Sequence, residues 1–480
     1  MSKSLKRNYI YNLFYQILTL ITPLITAPYI SRVLGPELIG QLSYAESIVS
    51  YFVLFATLGV TTYGVREIAY VQDDKEKRSE VFWNTKCLTL ITTAVCLLFY
   101  IVFILIYRSN IKLFVLSAIL ILNVFLDITW FFQGLEEFGK IVLRNTIFRL
   151  LTLAYIFIFV HKAKDFYIYV AGLFGLQFIS SISLWPLLNG YICKPKKIRP
   201  FKNIKIIISL FVPTIAISIY TVLDKTMIGI FAISSVENGF YEQALKLSKM
   251  VVTIVTALGV VVVPRIGAFV GKGDMDSVKT YMYRSYQFVL FLGIPLYLGL
   301  STVSGNLVPW FFGNGYEKVI PLLRVLGILI LSIGINNVTG LQYLIPTKRQ
   351  NLFTFTVIVG AVINFVFNLV LIPRYYSIGA AIASVIAETV IALLQLFLVR
   401  NELSFGIVLK RSWKYFVSGI VMFLILFFIE KQLQPSIINT LILFIVGVIS
   451  YFTVLLILRD KFFLENSKNV INKILKRKDD

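Results

Sequence analysis

The chain has 480 residues, of which 58% are hydrophobic and only 15% charged, and its mean hydropathy is +0.82. That composition suits a bilayer and excludes a water-soluble enzyme or binding domain. The formal net charge of +22 lies largely between apolar runs, which points to loops facing an anionic inner leaflet and away from nucleic acid.

Apolar stretches of spanning length recur roughly fourteen times, near 10–31, 42–63, 84–106, 113–133, 146–161, 167–188, 206–230, 247–270, 286–305, 320–345, 352–373, 377–399, 414–430 and 437–458. The first is too long for the apolar core of a signal peptide and is followed at once by others, so it reads as an uncleaved span. Pro23 and Pro28 lie inside it and predict a bend beside a cavity, where freed carbonyls find partners. With the N-terminus inside, the inner segments hold roughly 32 lysines and arginines and the outer ones about 9. An even number of spans returns the C-terminus to the same side. Both termini are therefore expected in the cytoplasm, with only short outer loops. In the basic tail 459–480, Val470, Ile471, Ile474 and Leu475 share one helical face, so the tail is expected on the inner membrane surface.

Cys87, Cys96 and Cys193 show neither a disulfide framework nor zinc spacing. His161 is the single histidine, so a histidine-dependent triad or a histidine metal site is out of reach. No Gly-rich phosphate loop is present, so the chain carries no ATP motor. Catalytic residues, metal and cofactor are each expected to be none.

An internal repeat organises the rest. WFFQGLEEFGK (130–140) in the fourth span aligns with TGLQYLIPTKR (339–349) in the tenth, matching Gln133 with Gln342, Leu135 with Leu344 and Lys140 with Arg349. IGQLSYAESI (39–48) answers NGFYEQALKL (238–247), and Pro23 answers Pro213. The expected fold is an all-α integral membrane protein of about 14 transmembrane helices. Two pseudo-symmetric six-helix lobes surround a central cavity, with two extra C-terminal helices. The expected divisions are an N-lobe at 1–192, a basic cytoplasmic linker at 193–205, a C-lobe at 206–400, extra spans at 401–458 and a basic cytoplasmic tail at 459–480.

Five stretches carry a resemblance over nearly the whole chain: ITPLITAPYISRVLGPELIG (21–40), FATLGVTTYGVREIA (55–69), DITWFFQGLEEF (127–138), LDKTMIGIF (223–231) and LIPRYYSIGAAIASVIAE (371–388). In this order they resemble the Wzx-type polysaccharide transporters of the multidrug/oligosaccharidyl-lipid/polysaccharide (MOP) flippase superfamily. The resemblance implies outward movement of undecaprenyl-diphosphate-linked oligosaccharide across the bacterial plasma membrane, for capsule, exopolysaccharide, O-antigen or teichoic acid assembly. It implies membrane lipids, a polysaccharide polymerase and chain-length machinery as partners. A multidrug antiporter of the same fold would favour an acidic cavity, whereas the balance of charge within the spans is basic. A peptidoglycan-precursor (lipid II) flippase is the nearer alternative. A polymerase or glycosyltransferase would place its chemistry on sizeable outer loops, which this chain lacks.

If the lobes enclose a cavity, a diphosphate there calls for cations. Arg149, Lys225, Lys249 and Arg324 lie within spans and Arg32 closes the first; these five are the candidate substrate-binding residues, with snorkelling or structural pairing as the alternative. Lys86, near an inner end, is expected to snorkel or to make a structural pair. Among the acids Glu46, Asp127, Asp224 and Glu388, the last three are candidate counter-charges or cation-coupling groups. Asp127 is expected to pair with Arg149. Asp224 and Lys225 are adjacent and point about 100° apart on a helix, so they do not face each other. Lys225 is expected to face the cavity, with a structural pair between lobes as the other reading.

Overall fold

A computed structural model describes residues 3–195 and 197–466, and all of their regular secondary structure is helical. The side chain of Pro213 and the tail 467–480, with its expected surface helix, lie outside the described residues.

The first helix, Lys3–Thr57, is interrupted at Gly35, whose φ of 75° and ψ of 170° suit a residue without Cβ. Pro36 follows as the first residue of the next helical segment, where its missing N–H leaves no bond unmade. The break in this helix thus falls at the Gly-Pro of VLGPE, beyond Pro23 and Pro28, which lie inside its first segment. Gln350–Leu398 is interrupted in the same way at Tyr376, with φ 51° and ψ −123°.

Among the described residues, ten helices are long and apolar enough to cross a membrane, or eleven if the bent pair Val236–Thr256 and Val261–Gly271 forms one span. The sequence-based number is larger partly because two of these helices are long. Ile21–Tyr70 has 50 residues and Gln350–Leu398 has 49. At a rise of 1.5 Å per residue each covers about 75 Å, against a hydrocarbon core of about 30 Å. Each has the length of two crossings, divided at Gly35 or at Tyr376.

The chain forms two compact units, Met1–Gly239 and Phe240–Asp480. In the first unit the fourth span is discontinuous: Ile111–Leu126 ends, Asp127 and Ile128 are non-helical, and Thr129–Gly134 resumes. Beside this break Phe82 stacks on Trp130 at 5.8 Å and meets Phe131 and Trp185 edge-on. The seventh span, Ile204–Phe231, packs within this unit against the first helix.

In the second unit the ninth span, Met275–Phe312, is the central helix, and Phe405–Glu430 and Ile437–Ile457 pack against it. Tyr451 Oη donates to the Phe291 carbonyl at 2.8 Å across that contact. The tenth span passes from α-helix into a π-helix over Asn337–Leu344, which overlaps the repeat segment 339–349.

The two units share further local features. The third span, Lys75–Tyr107, starts at Asp74, whose carboxylate accepts from the backbone N–H of Glu76 and Lys77. The ninth starts at Asp274, which accepts from the N–H of Ser277. Twelve residues beyond each cap stands a buried polar side chain, Lys86 in the third span and Tyr286 in the ninth. Lys86 bonds to the irregular stretch of the fourth span, and Tyr286 bonds to Thr339 of the tenth at 2.7 Å.

Candidate functional site

The polar residues of the first unit converge on a groove. A cavity of about 490 Å³ is walled by the second helical segment of Lys3–Thr57 and by the third, fourth, sixth and seventh spans, and it includes Ser50, Tyr51, Thr57, Thr89, Asn123, Asp127, Gln177, Ser218 and Thr221. A second cavity of about 250 Å³ shares Ser50, Leu120, Gln177 and Val222 with it and adds Glu46, Ser47, Phe174 and Lys225. Polar groups inside apolar spans are costly unless they meet protein, water or ligand, so their convergence marks a candidate site.

Asp127 is placed in this wall by the break in the fourth span. Its Oδ1 accepts from the Thr129 backbone N–H at 2.9 Å and from the Thr129 hydroxyl, at the start of the helix that resumes there. Arg144 Nη2 reaches the same hydroxyl at 3.2 Å. The carboxylate thus binds Thr129 of its own turn, and Arg149, the partner suggested from the sequence, is half-buried on Phe138–Phe159.

Behind Asp127 lies Lys86, which does not snorkel. It is 2% exposed, and its ammonium donates to the carbonyls of Phe125 and Asp127, the latter at 3.0 Å. Trp185 Nε1 donates to the intervening Leu126 carbonyl at 2.8 Å. Three carbonyls freed where the helix ends are therefore occupied by two side chains from other spans. The ammonium also lies 5.2 Å from the Phe125 ring and 5.6 Å from the Trp185 ring, a low-polarity setting favourable to cation–π contact.

At the other end of the groove, Lys225 is half-buried in the wall and Asp224 is buried on the same helix. The following turn is fixed by hydroxyls: Thr226 Oγ1 lies 3.0 Å from Ser47 Oγ and 3.1 Å from Tyr51 Oη. Asn238 Nδ2 donates to the Lys225 carbonyl at 3.0 Å. Of the eight candidate residues, then, Asp127 and Lys225 line adjoining cavities. Asp224 and Arg149 belong to the same unit, and Arg32 lies exposed just before Gly35.

The remaining three are in the second unit. Lys249 is exposed on Val236–Thr256, and Arg324 is exposed with its Nε 3.3 Å from the Ser301 carbonyl. Glu388 is half-buried and accepts from Asn336 Nδ2 at 3.2 Å. Sequence reasoning gave no role to Asn123, Gln177 or Glu46. The signal for the first two was available: each is a lone amide inside an apolar run, ILILNVFL and FGLQFIS.

The family described as polysaccharide biosynthesis protein matches residues 5–270, more than half of the chain. The Escherichia coli K12 protein called "Putative O-antigen transporter" is 24% identical over 416 residues, which cover 83% of this chain and 97% of that protein. A solved structure of the lipid II flippase MurJ in an inward closed conformation superposes with a TM-score of 0.70 at 16% identity, covering 94% of this chain and 99% of the other. An inward-facing multidrug resistance MATE family transporter of the MOP superfamily gives a TM-score of 0.67 at 15% identity, covering 80% and 94%. At such identities these two structures establish the fold alone, and that fold is the one the sequence motifs implied.

Proposed function

The chain belongs to the polysaccharide biosynthesis protein family, and from that premise we propose that it is a flippase for lipid-diphosphate-linked oligosaccharide. It moves the polar headgroup from the inner to the outer leaflet of the bacterial plasma membrane, with both termini in the cytoplasm. The observation that carries this reading is the groove: a chain otherwise suited to lipid places hydroxyls, amides, Asp127 and Lys225 along two adjoining cavities that share four lining residues. An oligosaccharide diphosphate crossing a bilayer needs such a polar lining, since each polar group left without a partner in hydrocarbon costs several kcal/mol. The O-antigen transporter relative, aligned over almost its whole length, supports the same substrate class.

Transport proceeds by alternating access of two lobes, with no covalent chemistry. Arg32, Arg149, Lys225, Lys249 and Arg324 are the cations that meet the diphosphate along its route. Asp127, Asp224 and Glu388 act as counter-charges or coupling groups. A polymerase and chain-length machinery receive the product on the outer side. Deleting the gene in its host tests the reading and identifies the glycan. A lipid-linked oligosaccharide is expected to accumulate on the inner leaflet while one surface polymer is lost. Unaltered surface polymers with no accumulated intermediate would reject it.

A further inference from the structure

The two ends of the groove differ in chemistry. Lys225 and Glu46 stand at the smaller end. The larger end, about 490 Å³, is within the usual size of ligand sites, roughly 300–1,000 Å³. Apart from Asp127 its polar lining is neutral, made of hydroxyl and amide side chains. Among them, Asn123 Oδ1 is buried and has no hydrogen-bond partner among the described residues. It lies one helical turn before Asp127, and both residues line the same wall. A buried acceptor without a donor is a standing desolvation penalty that a ligand's O–H would remove.

Resting on the flippase reading above, we infer that the larger end is a carbohydrate subsite for a neutral sugar, a hexose or N-acetylhexosamine, with the diphosphate turned toward Lys225. Sugar hydroxyls donate and accept at once, as do the amides of Asn123 and Gln177 and the hydroxyl of Tyr51. The Asp127 carboxylate accepts from sugar hydroxyls but repels a phosphate or a uronic acid placed beside it. Gln177 lines both cavities and so stands where the sugar joins the diphosphate.

The test uses the purified full-length protein in lipid nanodiscs with two probes, undecaprenyl diphosphate and undecaprenyl-diphosphate N-acetylglucosamine. Asn123→Leu is expected to weaken binding of the sugar-bearing lipid by about tenfold or more, because a site built to hydrogen-bond a hydroxyl loses more than packing. Binding of undecaprenyl diphosphate stays unchanged, which also reports that the variant is folded. Asn123→Ser, which keeps a polar group at the position, covers the case in which leucine unfolds the protein and is expected to show an intermediate loss. Equal weakening for both lipids, or no weakening for the sugar-bearing one, overturns the subsite. Failure of the unaltered protein to bind either lipid overturns the flippase reading, and the subsite falls with it.

Discussion

A Cβ added to Gly40 would lie 1.7 Å from the carbonyl oxygen of Ser235, and one added to Gly239 would lie 1.9 Å from the carbonyl oxygen of Pro36. Each glycine therefore packs on the residue four before the other. Positions 40 and 239 are also those that the repeat aligns, in IGQLSYAESI and NGFYEQALKL. Small residues at both positions let the two backbones approach closely. Gly40→Ala or Gly239→Ala is expected to force the two segments apart and destabilise the protein by about 1–3 kcal/mol, as overpacking does. Thermal unfolding in detergent checks this, and Gly40→Val should lower the melting temperature further. Full stability in the valine variant would mean that the close approach is absent.

Lys86 is expected to be a stability residue first. Lys86→Met keeps much of the length of the side chain but leaves the Phe125 and Asp127 carbonyls without their donor. Each buried acceptor left unpaired costs about 1–3 kcal/mol. The variant should melt earlier, and transport should fall as well because the break that presents Asp127 is loosened. A variant as stable as the parent would show that water replaces the ammonium at the break.

One acid response can be assigned a sign. Glu402, in the turn after Gln350–Leu398, takes two bonds from Arg349, at 2.7 and 2.9 Å, and one from the Tyr343 hydroxyl. The Arg349 guanidinium holds its carboxyl below the usual carboxylate range. A depressed folded-state pKa contributes stability that is present above the unfolded value, about 4.3, and is lost as pH falls through the folded one. Because the pair is partly exposed, the effect is modest. Melting temperature measured from neutral pH downward should therefore fall less steeply in Arg349→Gln than in the parent. Identical slopes would remove the pair from the acid response.

Much of the fold was legible because its signals are local. Hydropathy located the spans, and Gly35 with Pro36 wrote the first break into the sequence. The break in the fourth span was not legible: LDIT contains neither glycine nor proline, and it is held open by Lys86 and Trp185 from other spans. The charge pattern led to Lys225 and Asp127 but could not tell which side of a helix meets a cavity. Lys249 and Arg324 lie within apolar runs yet are exposed on their unit, whereas the amides of Asn123 and Gln177, inconspicuous one at a time, line the groove together.

Orientation is open to a labelling test. With Cys87, Cys96 and Cys193 replaced, a cysteine at Asn314 should react with an impermeant thiol reagent from outside intact cells, and one at Lys197 should not. The expectation rests on the excess of lysine and arginine in the loop around Lys197. The reverse pattern would invert the topology and with it the direction of export.

Translocation itself is the most direct measurement. The purified chain would be reconstituted in proteoliposomes in one orientation, with an undecaprenyl-diphosphate-linked oligosaccharide supplied on the side corresponding to the cytoplasm. Its arrival in the opposite leaflet would be followed by enzymatic modification of the exposed sugar. The headgroup carries about −2 charge, so an inside-negative potential of 100 mV favours outward movement by about 4–5 kcal/mol if no cation travels with it. Basic residues that complete a round trip with the protein cancel from the net work. The expected result is flipping well above that of protein-free vesicles, faster under an imposed inside-negative potential and needing no sodium or proton gradient. Flipping no faster than in protein-free vesicles, with or without a potential or an ion gradient, would contradict the account.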